Sequence, residues 1–255
     1  MTAGDSGRRI IVCENPAEVA SAAAQRLVVL SREAIEERGR MRLALAGGRT
    51  PETLYRLLAE SPYQEAVAWP LIEVFWGDER CVWPDHPESN YRMAREALLS
   101  KVPIPAANVH RMRGEFPDPA AAAREYEAVL RRVIETGGNG PPRFDLCLLG
   151  LGPDGHTASL FPGSGVVRET RRFTAAAWVE GLEAWRLTLT PPVLNAARHV
   201  LFLVTGADKA EAVREVLEGS EDPDRLPAQI VKPPNGKVEW LLDRAAARSL
   251  VSGKG

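Results

Sequence analysis

A doubly wound α/β fold, with a mostly parallel sheet and helices on both faces, is predicted by three features of this sequence. Strand-like and helix-like segments alternate from end to end. The run Leu146-Cys147-Leu148-Leu149-Gly150-Leu151, entered from Pro141-Pro142, has the apolar character of a strand buried on both faces of a parallel sheet. No linker-like stretch divides the 255 residues, so residues 1–255 read as a single domain.

The elements follow in order. Arg9 to Glu14 reads as a strand, and Ala17 to Arg38 as a long helix with Gly39 as its stop signal. Arg42 to Ala46 is a short apolar strand, followed by a helix from Pro51 to Ala59. Ile72 to Trp76 is a strand, and Ser89 to Ser100 a helix with Ser89 as its N-cap. Val109 to Met112 is expected as a short strand. Pro119 to Glu135 is an alanine-rich helix ended by Gly137-Gly138. Phe144 to Gly150 is the buried strand described above. Thr174 to Val179 and Arg186 to Thr190 read as strands forming a small antiparallel excursion. Pro191 to Ala197 is a short helix, Val200 to Thr205 a strand, and Ala207 to Glu218 a helix closed by Gly219. Ala228 to Val231 and Val238 to Leu242 are the last strands, with a terminal helix after Asp243.

Composition narrows the function classes. The hydrophobic fraction is 45%, enough for a sizeable core. Basic and acidic residues number 32 and 34, which supplies no electrostatic reason to bind nucleic acid. No apolar run approaches the ~20 residues of a membrane span. The opening residues MTAGDSGRR lead into only a short apolar strand, unlike a signal peptide. Cys13, Cys81 and Cys147 are odd in number and far apart, without metal-ligand spacing, and Cys147 reads as inert core. A cytoplasmic protein in a reducing compartment is expected, with no metal and no cofactor.

Four loops carry candidate chemistry, each at the carboxyl end of an expected strand, where ligands sit in open α/β sheets. In Gly47-Gly48-Arg49-Thr50-Pro51 a strand ends in two glycines and a helix begins at once. Thr50 suits the cap and Pro51 the first helical position. Unpartnered amides and the helix dipole make this a phosphate site, to which Arg49 adds charge; the plain alternative is an ordinary strand-to-helix turn. It is neither a P-loop nor a dinucleotide fingerprint. In Trp76-Gly77-Asp78-Glu79-Arg80, three charged residues, Asp78, Glu79 and Arg80, are placed to face a ligand, with Arg80 suited to a phosphate or an oxyanion; the alternative is a solvated loop with an Arg–Glu pair.

In Gly152-Pro153-Asp154-Gly155-His156-Thr157 a carboxylate and an imidazole arrive two residues apart between glycines. Imidazole exchanges protons near neutral pH, so His156 and Asp154 are the catalytic candidates. His86, His110 and His199 read as non-catalytic. In Gly206-Ala207-Asp208-Lys209-Ala210, a lysine in a helix's first turn opposes the dipole. A phosphate shared by the helix start and Lys209 would relieve that conflict; a solvent-facing lysine is the plain reading. Trp178, Trp185 and Trp240 read as packing, while Trp69, Trp76 and Trp83 surround the Asp78 loop as pocket wall, core or rim.

Taken together, these motifs resemble the 6-phosphogluconolactonase family over nearly the whole chain. The matching segments, in family order, are Gly47-Gly48-Arg49-Thr50-Pro51, then Gly77-Asp78-Glu79-Arg80 with Ser89-Asn90, and then Leu149 through Pro162 around Asp154-Gly155-His156. Arg186-Leu187-Thr188-Leu189-Thr190, Gly206-Ala207-Asp208-Lys209-Ala210 and Trp240-Leu241-Leu242-Asp243 complete the set. The resemblance implies a fold shared with glucosamine-6-phosphate deaminase and ribose-5-phosphate isomerase. It implies hydrolysis of 6-phospho-D-glucono-1,5-lactone, with His156 as general base supported by Asp154. Arg80 would sit near the reacting centre, with Gly47 to Thr50 and Lys209 on the phosphate. Many members carry a lysine or a Pro-Pro pair just before the Arg-x-Thr-Leu-Thr segment. Glu180-Gly181-Leu182-Glu183-Ala184-Trp185 has no lysine, which leaves Arg186 as the nearest cation.

Two other readings compete. A deaminase of this fold carries Asp-Glu-Tyr where this chain has Asp78-Glu79-Arg80, and a glutamate-bearing loop where this chain has Ser159-Leu160-Phe161-Pro162-Gly163. A non-enzymatic sugar-phosphate-binding regulator would need a helix-turn-helix, for which the start of the chain leaves no room. The expected partner is a small phosphorylated sugar lactone, with no nucleic acid and no membrane, bound by a monomer or weak dimer.

Overall fold

In the computed structural model, which describes residues 8–134 and 140–251, two sheets share one hydrophobic core. β1 (Arg8–Cys13) leads into α1 (Pro16–Arg38), which Asn15 caps by accepting from the Glu18 amide at 3.0 Å. Gly39 ends α1 in the left-handed region at φ 74°, where a side chain would be strained. There follow β2 (Met41–Leu45), α2 (Arg49–Leu58), α3 (Tyr63–Ala66), β3 (Ile72–Trp76) and β4 (Asp78–Arg80). α4 (Asn90–Ala94) continues as a π turn to Leu99, and α5 (Pro119–Val133) starts from an Asp118 cap. β5 (Leu146–Leu149), β6 (Thr174–Val179), β7 (Ala184–Leu189), α6 (Pro191–Leu194) and β8 (His199–Val204) precede α7 (Ala210–Glu218), β9 (Lys237–Asp243) and α8 (Arg244–Ala247).

The six-stranded sheet has the order β1-β9-β8-β5-β2-β3, every neighbouring pair parallel. From β2 the chain moves outward to β3, and from β5 it moves the other way to β8 and β9. The direction of winding therefore reverses between β2 and β5, which pair through Leu43–Leu146 and Ala44–Cys147. Such a switch point opens a crevice beyond the strand ends. Two buried tyrosines fix the rims of that crevice. The Tyr55 hydroxyl accepts from the Ala46 amide at 2.9 Å and donates to its carbonyl at 2.8 Å. Tyr126 does the same for Trp76, at 2.9 and 3.3 Å.

β4, β7 and β6 form the antiparallel excursion, with Asp78 opposite Thr188 and Arg80 opposite Arg186. Gly77 stitches the sheets together: its amide donates to the Leu45 carbonyl at 2.8 Å and its carbonyl accepts from the Leu189 amide at 2.8 Å.

Several expectations are corrected. Val109 to Met112 is not a strand: Val109 makes one isolated bridge to Val74. Ala228 to Val231 is not a strand either; Pro227–Ile230 is a 3-10 turn, begun by a proline that cannot donate to a ladder. Asp78-Glu79-Arg80 is a strand rather than a loop, and α6 stops at Leu194. α2 begins at Arg49 with Gly48 as its cap, so Thr50 is not the N-cap. Trp178 and Trp185 are not packed inside; they are 44% and 41% exposed and meet edge-to-face at 5.6 Å. Trp69, Trp76 and Trp240 are core, the last stacked on Phe202 at 3.8 Å, and Trp83 is exposed. Cys147 is buried, and burial pushes its thiol pKa well up. Residues 1–7, Glu135 and Gly137-Gly138 lie outside the described residues. No described helix is long and apolar enough to cross a membrane.

Candidate active site

The loops after β2, β3 and β5 converge where the winding reverses. Gly47, Gly48, Asp78, Arg80, His156 and Lys209 line one cavity of about 210 Å³. A wider cavity of about 770 Å³ adjoins it and shares Asp78, Arg80 and His156, adding Asp154, Phe161, Trp178 and Arg186. The structure thus brings together eight of the expected site residues, Gly47, Gly48, Asp78, Arg80, Asp154, His156, Arg186 and Lys209, which line these cavities; Thr50 lines neither. Arg49 is exposed and lines neither. The Thr50 hydroxyl is engaged by that of Thr205 at 2.8 Å, so it ties the β2 loop to the end of β8.

The His156 turn is built around its ring. Gly155 takes φ 81°, a left-handed value that favours glycine. The Gly152 amide donates to the His156 carbonyl at 2.8 Å and closes the loop. Inside it, His156 Nδ1 lies 2.6 Å from Asp154 Oδ1, and Phe161 stacks on the imidazole with centroids 4.2 Å apart. Burial pushes the Asp154 carboxyl up, but the His156 hydrogen bond and charge outweigh it, and the pKa lies below the ordinary value. With Asp154 ionised and accepting from Nδ1–H, Nε2 is the basic nitrogen of the ring.

At the opposite wall, Gly48 opens α2 at φ 98° with no side chain capping the helix, which leaves first-turn amides for a ligand. Lys209 joins this wall from the 3-10 turn Ala207–Lys209; its Nζ is 3.3 Å from Asp208 Oδ2. Arg80 donates to the Glu88 carbonyl, and Arg186 faces it across the β4–β7 pair. Burial, and then the like charge of Arg80, lower the Arg186 pKa, while Asp78 raises it. Two guanidiniums beside one carboxylate make this wall suited to an anionic or oxygen-rich group.

Four further residues shape this site, and of these Glu79, expected to face a ligand, turns inward instead. Glu79, buried, accepts from the Asn90, Tyr91 and Arg80 amides at 2.7 to 2.8 Å and from Ser89 Oγ at 3.1 Å. Burial pushes its carboxyl up, and those amides hold it down in part. Asn90 in turn donates to the Asp78 carbonyl at 2.9 Å, and Ser159 Oγ donates to Asp78 Oδ2 at 2.8 Å. Phe161 is the fourth. All stand in the same sequence blocks as Asp78 and His156, which is the signal that marks them. His86 and His110 are engaged elsewhere, His110 with Glu73 at 2.6 Å, and His199 starts β8 at the other pole. Among the described residues no cluster of three His, Cys, Asp or Glu is arranged to hold a metal ion.

The model of the family described as glucosamine-6-phosphate isomerases/6-phosphogluconolactonase matches residues 14–240. A 6-phosphogluconolactonase of Synechocystis sp. is 45% identical over 218 residues, spanning 86% of this chain and 88% of that one. The solved structure of 6-phosphogluconolactonase from Trypanosoma cruzi superposes with a TM-score of 0.84 at 32% identity, covering 96% of this chain and 97% of that one. A monomeric glucosamine-6-phosphate deaminase shares the fold at a TM-score of 0.79 and 24% identity, over 94% and 99% of the two chains.

Proposed function

The chain belongs to the glucosamine-6-phosphate isomerase and 6-phosphogluconolactonase family as a lactone-hydrolysing enzyme, and we propose that its His156 carries the reaction. The substrate is 6-phospho-D-glucono-1,5-lactone, opened to 6-phospho-D-gluconate in the pentose phosphate pathway. The observation that carries this reading is the 2.6 Å His156–Asp154 pair in a cavity shared with the uncapped start of α2.

In this reading the phosphate rests on the Gly47-Gly48 turn and Lys209, with Arg49 adding long-range charge. That anchor holds C1 of the lactone beside His156. Nε2 takes a proton from water as its oxygen attacks C1, and Asp154 stabilises the resulting imidazolium. Arg80, held by Glu88, offsets the charge developing on the carbonyl oxygen, while Asp78 and Arg186 bind sugar hydroxyls. The imidazolium then returns its proton to the ring oxygen as the C1–O bond breaks, so the enzyme ends as it began. No metal or cofactor takes part. A monomer or weak dimer remains part of this reading, and three free cysteines support a cytoplasmic location.

The deaminase alternative is disfavoured by Arg80 in the third position of its loop and by Ser159, whose hydroxyl is spent on Asp78. Replacing His156 with Ala is expected to lower kcat by ~10²-fold or more with little change in Tm. A coupled assay on freshly generated lactone, corrected for spontaneous opening, measures it. Near-normal turnover removes His156 from the mechanism. In the same assay Lys209→Ala is expected mainly to raise KM; an unchanged KM places the phosphate elsewhere.

A further inference from the structure

At the pole opposite the catalytic cleft, where β5, β8 and β9 begin, lies a third cavity, of about 370 Å³. Arg38, Arg143 and Arg198 line it around one buried carboxylate, Asp145. Asp145 is already committed: Oδ1 accepts from Arg38 Nε at 2.8 Å and Oδ2 from the Arg42 amide at 2.7 Å. Arg198 Nε stands 3.4 Å from Oδ1 without the alignment of a hydrogen bond. Arg143 spends one nitrogen on the Asn235 carbonyl at 2.7 Å, which carries no full charge. The other carboxylates of the rim, Glu33 and Glu37, are exposed, and Glu37 pairs with Arg38.

Among the described residues, seven buried side-chain polar atoms have no hydrogen-bond partner, and three of them belong to this one cavity: Arg143 Nε, Arg198 Nε and His199 Nδ1. Buried donors are almost always paired, and an unpaired nitrogen on a charged guanidinium carries the larger penalty. Burial, then the like charges of Arg143 and Arg38, lower the Arg198 pKa, and burial likewise lowers that of His199. The backbone holds the group in place nonetheless. The Arg198 amide donates to the Phe144 carbonyl at 2.9 Å and its carbonyl accepts from the Lys237 amide at 2.9 Å. Gly236 packs so closely that a Cβ would fall 2.2 Å from the Ala197 carbonyl oxygen.

We propose that this cavity is a binding site for a small phosphoryl anion, held between the Arg143 and Arg198 guanidiniums. Two planar forks sharing one ligand match a tetrahedral oxyanion, whose several oxygens accept from both at once. The volume of about 370 Å³ suits a free phosphate or a small phosphate ester.

Amide chemical shifts of the 15N-labelled full chain, titrated with inorganic phosphate and separately with glycerol 3-phosphate, test this. Saturable shifts are expected at Gly236 and Lys237, distinct from those at Gly47 and Gly48. Tighter binding of the ester assigns the site to an organic phosphate, and equal or weaker binding to the free ion. Arg143→Gln is expected to weaken the Gly236 response by about tenfold or more while leaving kcat, KM and the Gly47 response unchanged. Shifts that chloride reproduces at equal ionic strength, or a Gly236 response absent from the wild type, overturn the proposal. So does a Gly236 response undiminished in Arg143→Gln. Should that variant not fold, the wild-type titration against chloride decides alone.

Discussion

Gly152 has no room for a side chain: a Cβ there would fall 2.0 Å from His156 Nδ1 and 2.5 Å from Asp154 Oδ1. The glycine therefore serves the geometry of the neighbouring pair more than the turn itself. Gly152→Ala is expected to push the imidazole off Asp154 and lower kcat by on the order of 10²-fold, close to the loss in His156→Ala. Fold content by circular dichroism should stay normal, because the displaced ring lies at a cleft rather than in the core. Wild-type kcat in this variant would show that the His156–Asp154 contact is dispensable. The residues of this turn are legible in the sequence because chemistry and conformation coincide there: acid, glycine and imidazole follow a wholly apolar strand. Arg49 was not legible in the same way. The sequence places it beside two glycines, but the early start of α2 carries its side chain outside the cavity. Glu79 was hidden for the opposite reason. Its charge suggests solvent, yet three backbone amides and a hydroxyl reward its burial.

At the scale of elements, the parallel strands β2, β3, β5, β8 and β9 were readable because both of their faces are buried. β4 was not, since Asp-Glu-Arg has weak strand propensity, and it forms by pairing with β7. Ala228 to Val231 misled for the converse reason, an apolar run that turns instead of pairing. The order of strands was beyond the sequence, because it depends on which helix covers which face. The bend entering β6 supplies a prediction. Glu169 Oε1 accepts from the amides of Thr170, Arg171 and Arg172 at 2.8 to 3.1 Å. Burial alone would raise its pKa, but these amides and the Arg172 side chain lower it from 4.5 to about 2. A carboxyl depressed in the folded state contributes stability that is complete above its unfolded pKa. That contribution is lost as pH falls from about 4.5 through about 2, and amounts to at most about 3 kcal/mol. Urea unfolding of wild type and Glu169→Gln should differ at pH 7 and converge toward pH 2.5. A gap that stays constant with pH would mean that the ionised carboxylate is not what stabilises the bend.

At the scale of the whole molecule, the catalytic cleft is made by two sheets that do not share a strand. The proposed phosphate wall and His156 belong to the parallel sheet, whereas Asp78, Arg80 and Arg186 ride on the antiparallel one. Their mutual placement depends on Gly77, which bonds to both, and on a core that runs without a break from Leu45 and Phe75 to Ala175, Leu187 and Leu189. We propose that the chain unfolds as one cooperative domain, since the small sheet has no apolar interior of its own to retain. The tryptophans make this measurable, because Trp178 and Trp185 report the small sheet while Trp76 and Trp240 report the large one. Replacing Trp178 and Trp185 with Phe leaves a fluorescence transition dominated by the buried tryptophans. In wild type and variant alike, the denaturant midpoints from fluorescence and from far-UV circular dichroism should coincide. A wild-type fluorescence change that precedes the loss of helical signal, and that the double variant lacks, would show that the small sheet detaches on its own. The two halves of the cleft would then be separable parts, held in register by hydrogen bonds such as those of Gly77 and Ser159.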